Sequence, residues 1–186
     1  VSTSSEQRRI ARAAGVVGLA TLASRVGGFV RDLVIAYFFG AGPAADAFFV
    51  AFRIPNLLRR LFAEGTLTIA FIPVFTEVLA TKGKEEALLL ARSTYGILAL
   101  TLLVVCALGM TFSAEVVRVM APGFTPGSPV YQLSISLTRW CFPYIFFVSL
   151  AALAAGVLNS MDHFFAPAAS PVLLNLAMIF FPVLLI

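Results

Sequence analysis

Charged residues stand inside sequence that is apolar enough to lie in a bilayer, and this combination constrains the chain more than any other feature. The stretch from Arg25 to Glu64 reads RVGGFVRDLVIAYFFGAGPAADAFFVAFRIPNLLRRLFAE. It carries Arg25, Arg31, Asp32, Asp46, Arg53, Arg59, Arg60 and Glu64. An ionisable residue at membrane depth costs about 2.5–3.5 kcal/mol on insertion scales, so such residues face a partner or a water-filled cavity and mark substrate or ion pathways. The stretch therefore points to a polar cavity inside a helical membrane protein.

Helical spacing places several of these charges on shared faces. At about 100° per residue, positions seven apart return to nearly the same side. Asp46, Arg53 and Arg60 are spaced by sevens, Glu64 follows Arg60 by four, and Arg25 and Asp32 are seven apart. Pro55 interrupts the phase, because an interior proline kinks a helix and frees a carbonyl one turn back. Asn56 is placed to satisfy that carbonyl. Beyond Pro55, spacing alone leaves open whether Arg59 or Arg60 faces a cavity. The competing reading is snorkelling, in which an arginine at a helix end reaches the headgroups. It accounts for Arg59, Arg60 and Glu64 if the bilayer ends near Leu58, but not for Arg25 and Arg31, which have apolar sequence on both sides.

Composition supports the membrane assignment. The chain of 186 residues is 60% hydrophobic and only 12% charged, with a mean hydropathy of +0.98. Soluble domains average about 25% charged residues. The expectation is an all-α polytopic membrane protein. The net charge of +4 does not indicate nucleic-acid binding, because the arginines are embedded in apolar sequence rather than displayed on a solvated face. Cys106 and Cys141 both fall in apolar runs, and no Cys/His cluster suggests a metal or a disulfide. His163 is the only histidine and is expected in an interfacial loop. With no nucleophile–base pair and no metal or cofactor motif, the sequence does not read as an enzyme. The opening VSTSSEQRRIARAAG lacks the pattern of a cleavable signal peptide.

Along the chain, residues 1–9 form a polar tail and 10–186 a transmembrane region with about five spanning segments. The first, 10–39, is longer than the roughly 30 Å apolar core requires. Gly27-Gly28 at its middle is a place to bend or to let another helix approach. Gly40-Ala41-Gly42-Pro43 is a turn. The second segment, 44–80, is read as one long element kinked near Pro55. The others are 88–112, 131–158 and 166–186, separated by the hydrophilic loop 81–86, the turn-rich connection 121–129 and a short loop at 159–165. With the N-terminus inside, the inner flanks hold Arg8, Arg9, Arg12, Lys82, Lys84 and Arg92, and the outer connections only Arg118. This bias favours a cytoplasmic N-terminus.

Six motifs then occur in one order: SRVGGFVRD (24–32), FGAG (39–42), DAFFVAFRIPNLLRRLFAEG (46–65), APGF (121–124), FPYI (142–145) and LN (158–159). Together they closely resemble the lipid II flippase family, MurJ or MviN, from about Ala11 to the end. The resemblance implies a MATE-like fold of the multidrug/oligosaccharidyl-lipid/polysaccharide superfamily, with two six-helix lobes around a central cavity and two further helices. This chain would supply the first five helices, most of the N-terminal lobe, and the C-terminal lobe of the full-length protein would be its partner.

Carried over position by position, the resemblance puts functional arginines at Arg25, Arg31 and Arg59, and acidic cavity residues at Asp32 and Asp46, with Glu64 in the same block. Arg53 falls where relatives also use lysine. The implied substrate is lipid II, an undecaprenyl-diphosphate-linked disaccharide-pentapeptide, moved from the inner to the outer leaflet of the bacterial inner membrane by alternating access. A diphosphate calls for paired cations, and the planar fork of arginine matches phosphate oxygens. Asp32 beside Arg31 would orient that arginine. The alternatives are another MATE-like exporter, for drugs or polysaccharides, and a non-transporting membrane scaffold. A cation exporter would favour an acidic cavity, whereas residues 25–64 hold five arginines against three acids.

Overall fold

The computed structural model describes residues 4–40, 42–61 and 67–185. Among the described residues there are eight helices and no strands: α1 (Ser4–Phe39), α2 (Pro43–Arg59), α3 (Leu67–Thr81), α4 (Lys84–Thr111), α5 (Ser113–Met120), α6 (Pro129–Cys141), α7 (Pro143–Ser160) and α8 (Phe165–Leu185). They form two compact units. α1 pairs with α8 in one, and α2 to α7 make the other.

Local chemistry sets the helix limits. Pro43 and Pro129 each occupy a first-turn position, where a missing N–H costs nothing. Ser128 caps α6, its Oγ accepting from the Tyr131 N–H at 3.2 Å. Gly83, at φ 88°, takes the left-handed conformation that lets the chain turn into α4. Glu85 and Glu86 then fall in the first turn of α4, where the helix dipole favours negative charge. The third segment, expected from Leu88, therefore begins at Lys84, and of the expected 81–86 loop only Lys82 and Gly83 lie outside helices.

In the α2–α7 unit, Ala47, Ala51 and Pro55 form a buried ridge at four-residue spacing, and α2 lies against α6. The two small alanines keep that ridge low and allow a close approach. Val117, Tyr131 and Ile135 build a core cluster between α5 and α6, with Val50 of α2 packed against it. The Tyr131 hydroxyl donates to the Ala114 carbonyl at 3.3 Å. The α5 helix lies between two expected segments and was not anticipated as an element. Its eight residues carry Glu115 and Arg118, and this polarity conceals a helix held by the buried Ser113 and Val117.

The fourth expected segment, 131–158, is two helices that meet at Phe142. Pro143 has no N–H to offer the Arg139 carbonyl, so the helix ladder breaks there. The neighbouring α4 accommodates the break. The Cys106 thiol donates to the Phe142 carbonyl at 3.3 Å, and the Phe142 ring sits where a Cβ on Gly109 would be. Among the described residues, two helical stretches are long and apolar enough to cross a membrane: Lys84–Thr111 (28 residues) and Pro129–Ser160 (32 residues). Within the apolar 18-residue window of each stretch only 22% and 28% is buried in the chain, so most of its apolar surface faces outward, as lipid contact requires and a soluble core does not. Shorter apolar helices run over Ile69–Thr81 and Phe165–Phe180.

Candidate functional site

In the α1/α8 unit, Ser24, Gly27, Gly28 and Arg31 share one face of α1, at spacings of three and four. Asn175 of α8 meets that face. Its amide nitrogen donates to the Ser24 carbonyl at 2.8 Å, and its Oδ1 accepts from Arg31 Nη1 at 3.1 Å. Asn175 packs directly over the glycine pair: a Cβ built on Gly27 would meet the Asn175 Cβ at an ordinary contact distance of 3.4 Å. Gly27-Gly28 thus serves as a seat for α8, within an α1 that continues as helix on both sides.

The other edge of the Arg31 guanidinium is held by its neighbour. Nε and Nη2 both donate to Asp32 Oδ1, at 3.0 and 2.8 Å. Asp32 is 67% exposed, so this pair is worth about 1 kcal/mol or less in water, and its consequence is orientation more than stability. Three of the five guanidinium N–H groups are engaged. One N–H on each terminal nitrogen remains without a partner among the described residues. Arg25 lies on a different side of α1 and is exposed.

In the α2–α7 unit, Phe49, Phe52, Arg53 and Asn56 fall on one side of α2, with Val50 at its margin. They line an open groove of about 400 Å³. Asp46 and Arg53 are exposed, opposite the buried Ala47–Ala51–Pro55 ridge. Phe52 also leans on Tyr144 of α7, with ring centroids 5.4 Å apart. Arg59 and Arg60 are distinguished here. Arg59 is half-buried and its Nε donates to Asn56 Oδ1 at 3.1 Å, whereas Arg60 is exposed. Asn56 therefore orients an arginine, a different task from satisfying a carbonyl released by Pro55. Pro55 itself is fully buried in the helix contact. Glu64 lies outside the described residues.

The structure thus brings Arg31 together with Asp32, and Asn56 with Arg59 beside Arg53. Two partners escaped the sequence reading. Asn175 is a lone amide in the apolar run 166–186, and a buried side-chain amide at that depth is itself a signal of interhelical hydrogen bonding. Arg139 donates through Nε to the fully buried Ser113 Oγ at 2.9 Å, tying α6 to the start of α5.

Apolar helices with outward-facing apolar surface, together with arginines oriented by amides and a carboxylate, define a helical membrane protein. The family profile described as Lipid II flippase MurJ matches residues 35–186. The Probable lipid II flippase MurJ of Buchnera aphidicola subsp. Schizaphis graminum is 46% identical over 165 residues, covering 89% of this chain and 32% of the relative. The Lipid II flippase MurJ of Burkholderia cenocepacia is 45% identical over 159 residues, covering 86% of this chain and 31% of the relative. A solved structure, Lipid II flippase MurJ in an inward closed conformation, superposes with a TM-score of 0.72 at 30% identity, covering 88% of this chain and 34% of that one. The chain belongs to the lipid II flippase MurJ family, and it spans about a third of the length of the curated relatives it matches.

Proposed function

We propose that this chain is the N-terminal portion of a lipid II flippase that carries undecaprenyl-diphosphate-linked peptidoglycan precursor from the inner to the outer leaflet of the bacterial inner membrane. The observation that carries the reading is the Arg31 guanidinium, held on two sides by Asp32 and Asn175 with one N–H on each terminal nitrogen left over. Such a group suits phosphate oxygens, which arginine binds with two parallel N–H bonds. Arg25, Arg59 and Arg53 supply further positive charge, and Asp46 and Glu64 complete the set of cavity residues. Transport needs no covalent step, only alternating access of this lobe against a C-terminal lobe around the bound headgroup. The N-terminus is cytoplasmic in this reading, as the lysine and arginine bias indicates.

Complementation of a flippase-depleted bacterium tests the reading, with the complete reading frame expressed and membrane protein levels measured. Arg31→Ala and Arg59→Ala are expected to accumulate normally and fail to support growth. Removing an intramembrane charge lowers the insertion cost, so loss of growth reports loss of function. Full growth from both variants at normal levels would reduce these arginines to snorkelling or packing groups.

A further inference from the structure

We infer that Asn175 is a positioning residue, which locks the Arg31 guanidinium so that its remaining N–H pair is presented to the diphosphate of the substrate. The inference rests on the reading of Arg31 as a phosphate ligand.

The geometry gives Asn175 two jobs at once. An amide side chain can rotate to present either its oxygen or its nitrogen. Here the Ser24 carbonyl, accepting from Nδ2 at 2.8 Å, selects the orientation in which Oδ1 faces Arg31. Asn175 is only 6% exposed and lies over the Gly27-Gly28 face of α1, so its burial leaves it little room to turn away. Asp32 alone would leave the guanidinium free to swing, because both of its bonds converge on a single oxygen, Oδ1. The contact from Asn175 to Nη1 supplies the second fixed point. Two points define the plane of the fork, and a fork held in advance loses less freedom when it binds.

The residue type matters as much as the position. Aspartate has the same size but would place a second carboxylate beside Arg31 and would have no N–H for Ser24. It would compete with the phosphate for the same guanidinium.

The test measures binding of undecaprenyl diphosphate to protein expressed from its complete reading frame and reconstituted in nanodiscs. Asn175→Ala is expected to weaken binding about tenfold, the scale of one charge-assisted hydrogen bond and its orientation. In an Arg31→Ala background the same change should weaken it less than about twofold, because residues acting through one another are non-additive. Asn175→Asp preserves the packing against Gly27 and is expected to bind more weakly than Asn175→Ala. An equal loss in both backgrounds, or wild-type binding by Asn175→Asp, would mean that Asn175 only packs α8 on α1 and would overturn the inference. If Arg31→Ala weakens binding while Asn175→Ala and Asn175→Asp bind normally, this inference alone fails. If Arg31→Ala itself binds normally, the phosphate-ligand reading fails and takes this one with it.

Discussion

Arg31 and Asn175, 144 positions apart in the chain, meet through a 3.1 Å hydrogen bond on the face of α1 that carries its glycine pair. An arginine inside an apolar helix can be explained by snorkelling or by a ligand. An arginine whose plane is fixed from two directions has already lost the freedom that snorkelling uses, and this favours a ligand-binding role.

Arg31→Lys is expected to reduce transport by about tenfold or more while the protein accumulates normally. Lysine keeps the charge but offers a point donor in place of a planar fork, so it cannot engage Asp32, Asn175 and two phosphate oxygens together. Transport of labelled lipid II into the outer leaflet of proteoliposomes, compared with wild type, gives the measurement. Activity equal to wild type would show that charge alone suffices at this position.

Arg53 and Arg59 should respond differently to the same change. Arg53 is exposed on the groove face of α2, so Arg53→Lys is expected to support growth like wild type. Arg59 is half-buried with its Nε on Asn56, a contact lysine reproduces poorly, so Arg59→Lys is expected to lower transport roughly as Arg31→Lys does. The reverse ranking in the complementation assay would contradict the orientation role given to Asn56.

Gly109→Ala is expected to destabilise the protein by about 1–3 kcal/mol, the usual cost of overpacking. The added methyl would occupy the site of the Phe142 ring at the α6–α7 break. Gly96→Ala, on the same helix with nothing within 4 Å, serves as the control and should be neutral or stabilising by up to about 1 kcal/mol. Thermal unfolding in detergent compares the two, and similar midpoints would show that Phe142 yields easily.

Cysteine labelling reports topology. A cysteine at Gly83, between α3 and α4, should react with an impermeant reagent only from the cytoplasmic side. One at Gly127, before α6, should react only from outside. Labelling in the opposite sense would invert the orientation drawn from the lysine and arginine bias.

Much of this architecture was legible in the sequence because its causes are local. An all-α membrane fold follows from apolar runs tens of residues long, since a backbone in lipid must satisfy its own hydrogen bonds. Arg31 and Asp32 are adjacent in the chain, so their pairing needs only a favourable rotamer. The face shared by Asp46 and Arg53 follows from helical period alone, and the structure places both on the exposed side of α2. Helix starts at Pro43 and Pro129 carry their own signals in the chain.

What the tertiary structure decided lies where distant segments meet and where packing selects one side of a helix. The contact of Asn175 with Arg31 depends on the register of α8 against α1, which no local pattern encodes. Arg59 and Arg60 differ because neighbouring helical positions lie about 100° apart: Arg60 stays on the exposed stripe of Asp46 and Arg53, whereas Arg59 turns toward the packed side of α2 and reaches Asn56. The break at Phe142 was marked by Pro143, but its seat on Gly109 and Cys106 of α4 is a matter of packing. Local chemistry thus placed the charges on their helices, and the packing of helices remote in sequence determined which of those charges are held still.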